Sequence, residues 1–464
     1  MRARRAPLRA VAAMVAVVLV AGSCGGDDDT TAAPPEPTGT AGGRVDGAPE
    51  ELGEGVTADA VKVAFSLVDF DCIKDYVDEI RVDQDETFQV FVDHVNDGGG
   101  IHGRQIEPVY YTYCPVPGTE PSGLTVCTAA TEDENVFAVA GVFVDFSGDA
   151  QLCVARDHER VLIAYEITQA WIDQAPPGLM LTPGVTAERR IEVLMSLLKS
   201  EGTLEGRTVA ALAETTTESR IAEVIEPALA EMGVERGSDA IVTITGTDTS
   251  AAQAQLDSFL ELWKGEGVDA IILAGLAISN KQFIEKIKAE LPDVLLLADN
   301  TSWLGSARDL VETGVEPNPY DGILTAIGET LEEHARGPEA QECDRIYTDA
   351  TGEPVPPPGE FPDVSADGHR IDLRGAVHDA CTYVLMFATI AEAVGPNLNN
   401  DTWVETVDNF GPIRVMQTKY ASLRAGKYDA NDTFRLAAFD PTIGDTGDFR
   451  AVTELRDVGA EAQS

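Results

Sequence analysis

The sequence predicts an α/β protein of two doubly wound, Rossmann-like lobes, and three observations carry that expectation. Short apolar, β-branched runs come in two sets of four, near Val61, Ile106, Val136 and Val161, then near Thr208, Ile241, Asp269 and Val294. Amphipathic helical patterns separate them, as in βαβ units whose parallel strands are buried on both faces. About 400 residues follow a poorly apolar N-terminal stretch, more than one hydrophobic core usually serves, so two domains are expected.

The elements follow in chain order. Met1 to Ala10 carries Arg2, Arg4, Arg5 and Arg9 with no acid and runs into the apolar stretch Val11 to Ala21, the layout of a signal peptide. Its apolar core, about ten residues, is short of the roughly twenty that cross a bilayer. Ala21-Gly22-Ser23 then precede Cys24, a run of small residues that resembles a bacterial lipobox. The resemblance implies a diacylglyceryl group on the Cys24 thiol and removal of residues 1–23. Residues 24–57, rich in Asp, Thr, Pro, Gly and Glu, have almost nothing to bury and read as a disordered tether reaching roughly 30 Å. No later segment reads as a membrane span, so the lipid is the one anchor expected.

Within the domain, Phe88, Phe91, Val92 and Val95 place a helix between about Asp75 and Asp97, ended by Gly98, Gly99 and Gly100. Thr186 is a suitable N-cap for a second helix marked by Ile191, Leu194, Met195, Leu197 and Leu198. Beyond Ser302 the alternation degrades. Glu353 to Ser365 is a Pro-rich loop and His378 to Ala393 a strongly apolar helix. Late segments that return to the first lobe would join the lobes by several strands, making a hinge with a cleft beside it.

The net charge is −46, and −50 once the four arginines of residues 1–23 are removed. Such a surface repels nucleic acid and anionic lipid and suits solubility or salt adaptation. Beyond Cys24 there are six cysteines, an even number that favours disulfides in an exported chain. Cys343 and Cys381 are expected to pair around the Pro-rich loop, leaving Cys72, Cys114, Cys127 and Cys153 to the first lobe. Without a CxxC or a His pair at helical spacing, no metal site is expected. No G-x-S-x-G elbow, P-loop or H-E-x-x-H helix is present, so neither an enzyme nor a cofactor is expected. The glycines of 98–103 also satisfy G-x-G-x-x-G, but they close a helix and open a strand, the reverse of a dinucleotide site.

That segment, Asn96-Asp97-Gly98-Gly99-Gly100-Ile101-His102-Gly103-Arg104-Gln105-Ile106, resembles the turn after the first helix of type I periplasmic solute-binding proteins, the branched-chain amino acid receptor family. Agreement continues at Gly141, at Leu181-Thr182-Pro183, at His378-Asp379-Ala380 and at Phe410-Gly411-Pro412, covering nearly all of residues 58–455. The resemblance implies two lobes joined by a three-crossover hinge and closing on a small-molecule ligand, which a membrane ABC permease then takes. A sensor signalling to a membrane partner has the same closing cleft and stays open as an alternative. The ranges expected are 58–182 with 325–395 for the N-terminal lobe, 183–324 with 410–455 for the C-terminal lobe, and a tail at 456–464. A monomer, lipid-anchored outside the cytoplasm, is expected.

Ligands of open α/β sheets gather beyond the carboxyl ends of strands. The candidates are therefore the loops at 69–72, 145–147, 165–169, 214–219, 274–279 and 299–303. By position, Ser147 and Thr168 resemble the family's carboxylate binders, and Glu166 or Asp299 would face a cation. Tyr165 and Trp303 would supply aromatic walls, and Thr217 a hydroxyl from the second lobe. The loop Asp69-Phe70-Asp71-Cys72 and the stretch Val144-Asp145-Phe146 depart from the family's small, hydroxylated residues. Carboxylates at Asp69, Asp71, Asp145 and Glu166 would suit a cationic or polyhydroxylated solute better than an aliphatic amino acid.

Overall fold

The computed structural model describes residues 51–461, apart from 75, 76, 78, 117, 146, 166, 216, 244–249, 276–279, 417 and 445. Cys24, the signal segment and most of the expected tether lie outside the described residues. Residues 51–57, assigned to the tether from composition, are docked on the first lobe. Val56 is buried, the Gly53 amide donates to the Leu398 carbonyl at 2.8 Å, and Asn399 Nδ2 donates to the Glu51 carbonyl at 2.6 Å.

The first lobe is built on strands β1 (Ala60–Val68), β2 (Gln105–Tyr113), β3 (Ala138–Gly141), β4 (Val161–Ala164) and β5 (Met180–Leu181), all parallel, in the order β2-β1-β3-β4-β5. Helix α1 (Gln84–Asp97) buries Phe88, Phe91 and Val92. It starts later than its periodicity suggested, because the chain before it forms a short helical turn, Phe70–Ile73, and a strand, Glu79–Ile80, paired with Arg370–Ile371. The glycine run closes α1 and leads into β2. At Gly100, φ is +68° and a Cβ would lie 2.0 Å from the Arg104 carbonyl oxygen, so only glycine fits the turn. Short helices α2 (Gly123–Thr128), α3 (Asp149–Leu152) and α4 (Gln169–Ile172) complete the first half of the lobe.

The chain enters the second lobe through α5 (Ala187–Ser200), capped by the Thr186 side chain. There β6 (Thr208–Glu214), α6 (Glu226–Met232), β7 (Ala240–Val242), α7 (Ser250–Glu266), β8 (Ala270–Ala274), α8 (Asn280–Glu290), β9 (Leu295–Ala298), α9 (Leu304–Glu312) and β10 (Leu324–Ile327) repeat the winding, with order β7-β6-β8-β9-β10. Alternate residues of β6 face opposite cores: Val209, Ala211 and Ala213 one, Ala210 and Leu212 the other. Double burial is why these strands read as unbroken apolar runs.

After β10 the chain returns. Helices α10 (Leu331–Arg336), α11 (Pro338–Thr351), α12 (Leu373–Val394) and α13 (Asn400–Asp408) lead back to the first lobe, where α12 packs on α1, α11 and α13. At 22 residues α12 is long and apolar enough to cross a bilayer by length and composition, which corrects the reading that no later segment qualifies. Its face, including Val377, Val384, Phe387 and Ile390, is nevertheless buried in the protein core. A last crossing delivers β11 (Thr433–Asp440) and β12 (Asp448–Ala451), antiparallel, to the edge of the second sheet beside β10. The expected second-lobe range began at 410, but Ile413, Val415, Leu423, Tyr428 and Ala430 belong to the first core. These isolated apolar residues carry no periodicity that assigns them to either sheet.

All three disulfides lie in the first lobe. Cys72–Cys114 ties the loop after β1 to the end of β2, Cys127–Cys153 ties α2 to the end of α3, and Cys343–Cys381 staples α11 to α12.

Candidate functional site

Three crossings join the lobes: residues 182–186, the turn after β10, and residues 429–433. They lie side by side. The Ala430 amide donates to the Thr182 carbonyl at 2.8 Å and the Asn431 amide to the Gly184 carbonyl at 2.9 Å. On the other side, Ile327 of β10 pairs with Arg435 of β11. A buried cluster of charges locks the first crossing to the third. Arg189 on α5 bonds Asp429 at 3.0 Å and also Asp432, while Lys427 lies 3.4 Å from Asp429 and 3.2 Å from Asp432. Two cations face two carboxylates, so the cluster is neutral and fully paired, the condition under which charges are tolerated in a core.

Beside this hinge a cleft of about 910 Å³ opens between the lobes, within the range of small-molecule sites. The first lobe contributes Val142 and Tyr165, which directly follow β3 and β4, together with Arg81, the N-terminal half of α12 and the Pro-rich loop around Pro357. From the second come the start of α9, Glu329 after β10 and the turn around Gly444. The close approach of β1 and β3 that sets this face requires Gly141, where a Cβ would lie 2.4 Å from the Ser66 carbonyl oxygen.

The cleft wall holds nine carboxylates and four arginines, and each arginine is committed. Arg81 bonds Asp379 and lies 3.9 Å from Asp372, Arg370 faces Glu79 at 3.8 Å, Arg308 faces Asp448 at 3.8 Å and Arg374 bonds Asp344 at 2.9 Å. Burial, partly offset by Lys419, pushes the Glu329 carboxyl above its ordinary range. Where α10 meets α12, His334 Nε2 lies 3.3 Å from His378 Nδ1, and His378 Nε2 lies 2.9 Å from Asp344. Burial, and then repulsion from His378 and Arg374, pushes His334 down to about 4, so it is neutral at pH 7. The residue before it, Glu333, bonds Arg435 of β11. Two adjacent residues of α10 thus hold opposite lobes.

A second, smaller cavity of about 180 Å³ lies against the hinge, lined by Tyr165, Thr182 to Val185, Arg190, Thr418 and Asn431. Tyr165, 44% exposed, borders both cavities.

The positions expected to bind ligand divide sharply. Tyr165 lines both cavities. Glu166 lies outside the described residues, as do residues 276–279 of the loop after β8. Ser147 and Asp145 bond one another, at 2.9 and 3.0 Å, and Asp145 accepts from the Ala150 amide at 2.9 Å, so both are spent on capping α3. Thr168 is the N-cap of α4, accepting from the Trp171 amide at 3.2 Å. Asp69 caps the turn that carries Cys72, and Asp71 lies 3.7 Å from Lys74. Thr217 donates to the Ala274 carbonyl at 3.0 Å, bracing the ends of β6 and β8. Asp299 is 3% exposed, accepts from the Gly275 amide at 2.9 Å and lies 3.5 Å from Arg220; burial raises its carboxyl against the pull of Arg220 and Arg190. Trp303, 1% exposed, is core: it stacks on Tyr320 at 5.7 Å and meets Phe439 and Phe449 edge-on. None of Asp69, Asp71, Asp145, Ser147, Thr168, Thr217, Asp299 or Trp303 lines either cavity. The residues missed are Arg81, Arg190, His334 and the Pro-rich loop. A sequence signal existed only for the loop.

Two doubly wound lobes, three parallel crossings and a cleft at their hinge define the type I periplasmic binding protein fold. No protein-family model matches the sequence, and no curated protein matches it. Solved structures do. A leucine-bound ABC transporter substrate-binding protein from Desulfitobacterium hafniense is similar with a TM-score of 0.56 and 15% identity, over 84% of this chain and 99% of that one. A fatty acid ABC transporter substrate-binding protein from Thermomonospora curvata gives 0.57 and 14%, over 88% and 94%. A solute-binding protein of an R. palustris ABC transporter, in complex with 4-hydroxybenzoate, gives 0.58 and 12%, over 86% and 97%. These neighbours are binding proteins rather than enzymes. At such identities the likeness speaks for the fold.

Proposed function

We propose that this chain is the extracytoplasmic substrate-binding component of an ABC-type uptake system, lipid-anchored through Cys24. It captures a small polar solute, such as an amino acid, an amide or a related compound, by hinge closure. The observation that carries this reading is a pair of adjoining cavities walled by both lobes and seated on three side-by-side crossings. A solute held there touches both lobes only when they close, so its binding energy favours the closed form. Structural neighbours named as ABC transporter substrate-binding proteins support the same output, and the delivery partner is then a membrane permease.

A thermal-shift screen against amino acids, carboxylic acids, amides, polyamines and sugars tests it, followed by solution scattering with any ligand found. At one hundred times its dissociation constant a ligand adds about 2.7 kcal/mol, and closure reduces the radius of gyration. No shift with any class, or tight binding without compaction, would count against capture by closure.

A further inference from the structure

The hinge-side cavity carries a cation in the wrong company for this protein. With 79 acidic residues against 33 Lys and Arg, most guanidiniums find a carboxylate. The Arg190 guanidinium does not: it makes no hydrogen bond or ion pair with any described residue, and only the backbone amide of Arg190 is engaged, donating to the Thr186 carbonyl at 3.0 Å. Its neighbour Arg189, by contrast, is held by Asp429 and Asp432. Asp299 attracts Arg190 through space, but its oxygens already engage Arg220, the Gly275 amide and the Asn300 amide. Among the described residues, this one carboxylate thus serves two guanidiniums, and the nearer pairing is with Arg220 at 3.5 Å. None of the side chains lining the cavity, among the described residues, is acidic.

A second donor stands in the same wall. Asn431 Oδ1 accepts from the Thr433 amide at 2.8 Å and from Thr418 Oγ1 at 2.8 Å, which fixes the orientation of its amide and leaves Nδ2 without a partner among the described residues. Tyr165 of the first lobe lines both this cavity and the larger cleft.

We propose that the hinge-side cavity is a carboxylate subsite in which Arg190 anchors a small organic acid whose remainder lies past Tyr165 in the main cleft. This rests on the capture reading above and narrows its solute class. A guanidinium presents two parallel N–H groups that match a carboxylate bidentately. Among the described residues of the wall, no acidic side chain answers an ammonium group next to that carboxylate. A 2-oxo or aryl acid therefore fits better than the zwitterionic amino acid of the same shape. Because Arg190 rides on α5 of the second lobe while Tyr165 belongs to the first, an acid held between them also pulls the lobes together.

The test uses the full chain and matched probes: benzoate with benzamide, and 4-methyl-2-oxopentanoate with its amide and with leucine, measured by titration calorimetry and thermal shift. Acids are expected to bind, their amides and leucine at least about tenfold more weakly. Arg190→Gln should lose about tenfold to a hundredfold in affinity for the acid, the scale of a charged hydrogen bond. Arg190→Lys, which keeps charge but not the fork, should fall between. Unchanged melting of the ligand-free variants establishes that they fold. An amide binding as well as its acid, or Arg190→Gln binding the acid like the parent, overturns the subsite. So does a shift with compaction produced only by solutes lacking a carboxylate, which leaves capture standing. No binding by any solute class removes both.

Discussion

At the scale of single residues, the candidate site was poorly legible for a definite reason. A Ser, Thr or Asp after a strand is equally suited to cap a helix and to hold a ligand, because both tasks accept from the same exposed N–H groups. In Asp145, Ser147 and Thr168 the cap wins. Tyr165 was legible because it directly follows a strand at the face where the sheet turns toward the other lobe. Arg190 was not, since an arginine in a helix is ordinary until its neighbours are seen to leave it unpaired. His334 carries a prediction of its own. Its ordinary value of 6.5 is pushed down to about 4 in the folded protein, so between those pH values the unfolded chain binds more protons. Stability should fall as pH drops from about 6.5 toward about 4 and level off below. Asp344, held below its ordinary carboxylate value, loses its own contribution only at still lower pH. Urea unfolding at pH 7 and pH 4.5 should show a smaller loss in His334→Gln than in the parent; equal losses would remove His334 as a cause.

Elements were far more legible than residues. Every one of the eight apolar runs is a strand; for those buried on both faces, such as Val161–Ala164 and Ala270–Ala274, the strand must be apolar throughout, whereas Gln105–Tyr113 is largely half-buried or exposed. The segments that escaped were governed by long-range contacts: residues 411–430, short bridges docked on the first core, and the chain before α1, which pairs with a strand nearly three hundred residues later. The link between α11 and α12 invites a measurement. Cys343–Cys381 closes a chain separation of 38 residues, worth about 4 kcal/mol by the loop-entropy estimate. A Cys343→Ser, Cys381→Ser variant should unfold at lower denaturant by that order, with the second-lobe packing around Trp303 unaffected in its fluorescence until the same transition. Unchanged stability would mean that helix packing alone holds the pair.

At the scale of the molecule, the two lobes share one strand order although nothing in their sequences matches by eye, since winding depends on apolar pattern and crossover handedness rather than on residue identity. The lipid anchor proposed at Cys24 makes its own prediction. Cys24→Ala should move the protein from the membrane to the soluble fraction while solute affinity stays as it was. Loss of affinity in that variant would give the anchor a part in binding, and retention at the membrane would deny it the role of anchor.

The crossings bear on mechanics as well. In the closure proposed above, three cords lying edge to edge, with Arg189, Lys427, Asp429 and Asp432 bolted through two of them, would favour bending across the cords over sliding of one lobe past the other. Such a joint would bring the same atoms of the two lobes face to face each time the protein closed. On that reading alignment is built into the hinge before any solute arrives, and a solute would have only to hold shut jaws that already meet true.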